Sequence, residues 1–129
     1  MSDCSPAQRT AVAVRDEMLV NDRVLRTLGI QVGEVGPGRA VVTMTVRADM
    51  LNGFAICHGG LITTLADSTF AFACNSYNEL TVASGFSIDI VAPARLGDRL
   101  TAVAREVSLA GRTGVYDITV KNQADQLVA

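Results

Sequence analysis

Apolar positions alternate between helical and strand spacing along this chain, and each change of period marks an element. From about Pro6 to Asn21 the pattern predicts a helix, with Ser5 as its cap, Pro6 at the first position and Gln8 at capping-box spacing. A second, short helical turn runs through Val24, Leu25 and Leu28 and stops at Gly29. Two strands follow, Ile30 to Val35 and Ala40 to Ala48, joined across Gly36-Pro37-Gly38. In the second, Ala40, Val42, Met44 and Val46 fall on one face and Val41, Thr43, Thr45 and Arg47 on the other, which is a hairpin signal. Residues 49–57 form a loop leading to His58-Gly59-Gly60, and the stretch from about Gly59 to Tyr77 is too long and too rich in Leu, Ala and Phe for a strand. Three β-branched runs close the chain: about Leu80 to Ala92, Asp98 to Leu109 and Thr113 to Asn122. Pro93-Ala94-Arg95-Leu96-Gly97 and Ala110-Gly111-Arg112 separate them. The expectation is an antiparallel sheet curled around a central helix, with a partner covering what remains of an almost wholly apolar helix surface.

That helix carries one acid. Asp67 stands among Leu61, Ile62, Leu65, Ala66, Phe70 and Ala71. A carboxylate buried without compensation costs several kcal/mol or shifts its pKa upward, so an isolated acid in such a setting points to a site. The glycines that open the helix suit one too. Backbone N–H groups in the first turn have no partner within the helix, lie at the positive end of its dipole, and can approach a ligand closely where no side chain intervenes.

With 129 residues, 49% of them hydrophobic, the chain is long enough for one domain with a real core, and no linker or shift of composition divides it. No apolar run is long enough for a membrane span, and the polar start Met1-Ser2-Asp3-Cys4-Ser5 does not resemble a secretion signal. A net charge of −2 with a single lysine, Lys121, leaves no basic tract for nucleic acid. Cys4, Cys57 and Cys74 are odd in number and widely spaced, which fits a reducing cytoplasm and neither a disulfide framework nor a zinc site. No glycine-rich nucleotide-binding run is present.

The motifs resemble those of the PaaI-like branch of the hotdog acyl-CoA thioesterases. The resemblance rests on Asn52, His58-Gly59-Gly60, Asp67, Asn75, the segment Ile88 to Asp98 with its Pro93-Ala94-x-x-Gly97-Asp98, and Gly111 to Asp117 with its Gly-Arg-Thr turn. It spans nearly the whole chain and implies an α+β hotdog fold, its antiparallel sheet wrapped around a central helix, and hydrolysis of a small aromatic or medium-chain acyl-CoA without metal or redox cofactor. It also implies a homodimer that pairs into a dimer of dimers. Family members continue with another strand after a turn like Gln123-Ala124-Asp125-Gln126, whereas this chain ends at Leu127-Val128-Ala129, so a closing strand is expected beyond it.

Thioester hydrolysis requires a donor to the carbonyl oxygen, a base or nucleophile, and a pocket for the acyl group. The Gly59-Gly60 amides supply the first and Asp67 the second, either as general base on water or as nucleophile through an anhydride. Gly59 and Asp67 are eight residues apart, roughly 12 Å along the axis at 1.5 Å per residue, too far for both to engage one carbonyl carbon. Two antiparallel copies of the helix across a two-fold axis would bring Gly59 of one chain near Asp67 of the other.

His58 and Asn52 are supporting candidates that orient the approach loop or a water, each equally explicable as a loop residue. Thr63 and Thr64 lie a turn before Asp67, where hydroxyls more commonly bond their own backbone than a carboxylate. Phe54, Phe70, Phe72 and Phe86 are expected chiefly in the core, although Phe54, in the approach loop, could also border an aromatic acyl group. Arg95, Arg112 and Thr113 are candidates for binding coenzyme A, Arg112 through a phosphate if the family analogy holds. Cys57 beside His58 does not make a nucleophile pair, because sequence neighbours seldom face each other productively. Two other readings stay open at this point: a hotdog hydratase or dehydratase, for which only His58 could serve as the histidine, and a non-catalytic acyl-CoA sensor in which Asp67 is structural.

Overall fold

The computed structural model describes residues 5–129. Its elements are α1 (Pro6–Asn21), α2 (Arg23–Leu28), β1 (Gln31–Gly36), β2 (Arg39–Thr45), a 3-10 turn at Ala48–Met50, α3 (Gly59–Cys74), β3 (Arg99–Ala110) and β4 (Thr113–Lys121). The strands form one antiparallel sheet in the order β1-β2-β3-β4, and α3 lies across its concave face in the hotdog arrangement. Ser5 caps α1 by accepting the Gln8 N–H at 3.1 Å, with Pro6 in the first turn. The Gln8 side-chain amide donates to the Val35 carbonyl at 2.7 Å and ties α1 to β1. Gly29 ends α2 in the left-handed region at φ 67°, where its lack of a Cβ removes the steric penalty.

The predicted alternation of β2 holds: Ala40, Val42, Met44 and Val46 are all buried. Across the β2–β3 ladder Ala40, Val42 and Met44 pair with Ala104, Ala102 and Leu100, which are equally buried, so three alanines help to floor the sheet face under α3. Ile62, Leu65, Thr69, Phe72 and Ala73 turn toward that floor at helical spacing. The one hydroxyl among them, Thr69, donates to the Leu65 carbonyl at 2.7 Å. Beyond Arg105 the β3–β4 pair overhangs β2 as a two-stranded arm past the C-terminal end of α3, with Arg112 at its tip.

That end of the helix is locked by Ser76, which is 2% exposed, accepts the Gly38 N–H at 2.8 Å and donates to the Ala73 carbonyl. Ser76→Ala is expected to leave a buried N–H without an acceptor and to cost about 1–3 kcal/mol, read as a lower urea midpoint at constant slope.

Two expectations are corrected. The run Leu80 to Ala92 belongs to no strand of the sheet: among the described residues it forms no ladder with a neighbour. Asn75 holds its start, donating to the Thr81 carbonyl at 3.0 Å and accepting the Thr81 N–H at 2.9 Å; Val91 and Ala92 donate to the Val128 carbonyl at its end. Leu80, Val82, Phe86 and Ile90 therefore form an exposed apolar stripe. Of the phenylalanines only Phe72 is in the core; Phe70 is half-buried, its ring edge-on to Tyr116 at 5.4 Å, and Phe54 and Phe86 are 87% and 70% exposed.

Candidate active site

Helix α3 begins where the approach loop is pinned from three sides. The Cys57 N–H donates to the Ala94 carbonyl and the His58 N–H to the Met50 carbonyl, both at 2.8 Å. Asn52 closes the loop on itself: its side-chain oxygen accepts from Phe54 N–H at 2.9 Å and Ile56 N–H at 3.3 Å. His58 occupies the N-cap position but its imidazole caps nothing and is exposed. Its carbonyl accepts the Leu61 N–H at 3.0 Å, leaving the N–H groups of Gly59 and Gly60 with no acceptor among the described residues. Two adjacent donors at the positive end of a sixteen-residue helix are suited to a developing oxyanion.

Asp67 lies about two turns along α3 on its outward face. It is exposed in the single chain rather than buried, because the buried positions of α3 face the sheet and 67 falls between them. The carboxylate makes no hydrogen bond or ion pair among the described residues. Thr63 and Thr64 donate to the Gly59 and Gly60 carbonyls at 2.9 Å each, so neither hydroxyl is committed to Asp67.

Arg95 follows Ala94 at the glycine end of α3; Arg112 and Thr113 lie at the tip of the overhanging arm beyond the opposite end. One chain thus gathers Gly59, Gly60, His58, Asn52, Phe54 and Arg95 at one end and leaves Asp67, Arg112 and Thr113 apart from them. Asp98 has a structural task, accepting the Arg95 N–H and the Gln123 amide, which together hold its carboxyl below the usual range. Cys57 and Cys74 are buried, and burial raises both thiols, that of Cys74 to about 11, which removes them as nucleophiles. Among the described residues no three His, Cys, Asp or Glu side chains converge to hold a metal ion, and no helix is long and apolar enough to cross a membrane.

Ile90, absent from the sequence-predicted set, stands against the first donor: a Cβ placed on Gly59 would lie 2.8 Å from its Cδ1. A Cβ on Gly60 would meet nothing within 4 Å.

A family model for the thioesterase superfamily matches residues 54–129. The chain is 48% identical over 112 residues to the acyl-coenzyme A thioesterase PaaI of Escherichia coli, covering 87% of this chain and 80% of that protein. The solved structure of the E. coli PaaI protein from the phenylacetic acid degradation operon superposes with a TM-score of 0.93 at 44% identity, over 95% of this chain and 88% of that one. A Streptococcus mutans protein solved bound to acetyl-CoA superposes with a TM-score of 0.73 at 34% identity, over 77% and 80% of the two chains.

Proposed function

This chain belongs to the thioesterase superfamily and hydrolyses acyl-CoA thioesters, and from that premise we propose that it does so at sites shared between two copies of α3 packed antiparallel. The observation that carries the reading is the placement of two unpaired donors and one unpartnered acid on a single helix, too far apart to serve one carbonyl. A two-fold axis near Thr63 would set Gly59 and Gly60 of one chain beside Asp67 of the other. The uncovered outward face of α3 and the exposed Leu80, Val82 and Phe86 support self-association, as a homodimer that pairs again into a tetramer. The unpaired thiols support a cytoplasmic setting.

In that arrangement the thioester oxygen lies on the Gly59 and Gly60 N–H groups, which stabilise the charge that develops on it. Asp67 of the other copy then either takes a proton from an attacking water or attacks the carbonyl carbon itself. Sulfur leaves as the thiolate of coenzyme A; on the first route the free acid forms directly, and on the second a water then hydrolyses the Asp67–acyl anhydride, freeing the acid and restoring the carboxylate. Asn52 supports this by fixing the approach loop, and His58 by occupying the turn from which the donors emerge. Phe54 is free to border the acyl group, and its exposure supports a small aromatic or medium-chain substrate.

Thiol release from acetyl-, hexanoyl-, palmitoyl-, benzoyl- and phenylacetyl-CoA tests the reading. Turnover should favour the aromatic and hexanoyl esters. Tight binding with no thiol released from any of them would mark a sensor instead.

Arg112, exposed at the arm tip and with no ion-pair partner among the described residues, would reach the nucleotide of a coenzyme A seated at the partner's glycines. Arg112→Ala is expected to raise KM for acyl-CoA and barely affect a short thioester lacking the nucleotide, because only the former loses a charge-assisted contact. Equal changes on both substrates would remove Arg112 from the site.

A further inference from the structure

We propose that Ile90 is a specificity-determining residue of this reaction, walling the Gly59 side of the donor pair and bearing on the carbon next to the thioester carbonyl. The assignment rests on the reading of Gly59 and Gly60 as the carbonyl donors. The two glycines differ in their surroundings: the space beside Gly59 is filled by the Ile90 Cδ1, 2.8 Å from where a Cβ would stand, whereas the space beside Gly60 is open to 4 Å. Within one chain the donors therefore have a hydrocarbon wall beside Gly59 and no side chain beside Gly60.

The wall is fixed. Immediately after Ile90, the Val91 N–H donates to the carbonyl of Val128, whose side chain is fully buried, at 2.8 Å. Ala94, 1% exposed, accepts the Cys57 N–H at 2.8 Å just before the helix begins. The Ile90 backbone is thus tied to the sheet and to the entry of α3 within a few residues, and β-branching restricts the side chain at χ1. It remains 44% exposed in the single chain, so a face of it is available to a ligand.

A thioester carbonyl carbon carries two further substituents in its plane, the acyl α-carbon and the sulfur. With the oxygen on the glycine amides, one substituent faces each side. Sulfur bears the long polar arm of coenzyme A and needs the open passage beside Gly60. The α-carbon is then left facing Ile90, apolar against apolar. A second carbon at that α-position would collide with the wall, so the site selects acyl groups unbranched next to the carbonyl.

The test compares kcat/KM for hexanoyl-CoA and 2-methylhexanoyl-CoA in the full chain, its Ile90→Val variant, which loses Cδ1 alone, and its Ile90→Ala variant. The preference for the straight acyl group should shrink by about tenfold in Ile90→Ala and by a smaller factor in Ile90→Val, chiefly because the branched ester gains. If Ile90 only packs against the helix entry, thermal stability will fall and both esters will lose activity by one common factor, which overturns the assignment. Should Ile90→Ala not fold, the conservative Ile90→Val variant decides, and an unchanged ratio there overturns it equally. Wild-type chain that releases no thiol from either ester would overturn the thioesterase reading and this one with it; wild-type activity with an unmoved ratio would overturn this one alone.

Discussion

Asp67→Asn is expected to keep the fold and acyl-CoA binding while lowering kcat by roughly 10²–10⁴-fold, the range for loss of a positioned acid or base. The carboxylate is exposed and has no hydrogen-bond or ion-pair partner among the described residues, so the folded chain loses no internal contact when it becomes an amide. Asparagine is nearly isosteric, and a surface change of this kind shifts stability by no more than about 0.5 kcal/mol. Single-turnover thiol release separates chemistry from binding, and a thermal melt reports the fold. Full turnover by the variant would exclude Asp67 as base or nucleophile. A variant that fails to fold would return Asp67 to a structural role.

The second large effect is complementation between two inactive chains. One carries Asp67→Asn. The other carries Gly59→Pro, which deletes a donor at the first helical position, where proline is well tolerated and the N–H bonds nothing. Because the proline Cβ would meet the Ile90 Cδ1, that chain also carries Ile90→Val to make room. Each variant alone should be nearly inactive. Unfolded and refolded together in equal amounts, they should give about half heterodimers, each with one intact site and one doubly damaged site, so activity should return to roughly a quarter of wild type. In the intact site the glycines and Ile90 come from the Asp67→Asn chain, so the auxiliary substitution does not touch it. If mass spectrometry shows complete exchange and activity stays at the level of the separate variants, the two halves of the site do not act across subunits.

How far the sequence carries depends on whether a feature is local. The helix over Pro6–Asn21, the stop at Gly29, the β2 alternation and the two hairpin turns are written in neighbouring residues, and they are found within a residue or two of where the pattern places them. The run from Leu80 to Ala92 has the composition of a strand, yet strand pairing is a property of neighbours, which the run itself does not encode. The same holds for Phe54 and Phe86, apolar residues that a single chain leaves in water. In the site, the glycine pair and Asp67 are legible because one helix holds them all. The apolar residues around Asp67 in sequence predict burial; in space Ile62 and Leu65 face the sheet, Leu61, Ala66, Phe70 and Ala71 are half-buried, and Asp67 is exposed. Ile90 escapes notice because its contact with Gly59 joins segments far apart in the chain, although its place in the alternating stripe was a usable signal.

The alanines beneath α3 carry a consequence for how such a site can be tuned. Ala40, Ala102 and Ala104 are wholly buried, and close packing leaves no slack above them, so their size sets the height at which the helix rides over the sheet. Exchanging one for a larger residue would lift α3 bodily, carrying the glycine amides and Asp67 outward together. Across the proposed two-fold each copy would move toward the other, and the gap that receives the thioester would narrow by twice the displacement of either helix. The aperture of the site is therefore adjustable from the floor of the sheet, by residues that never meet the substrate.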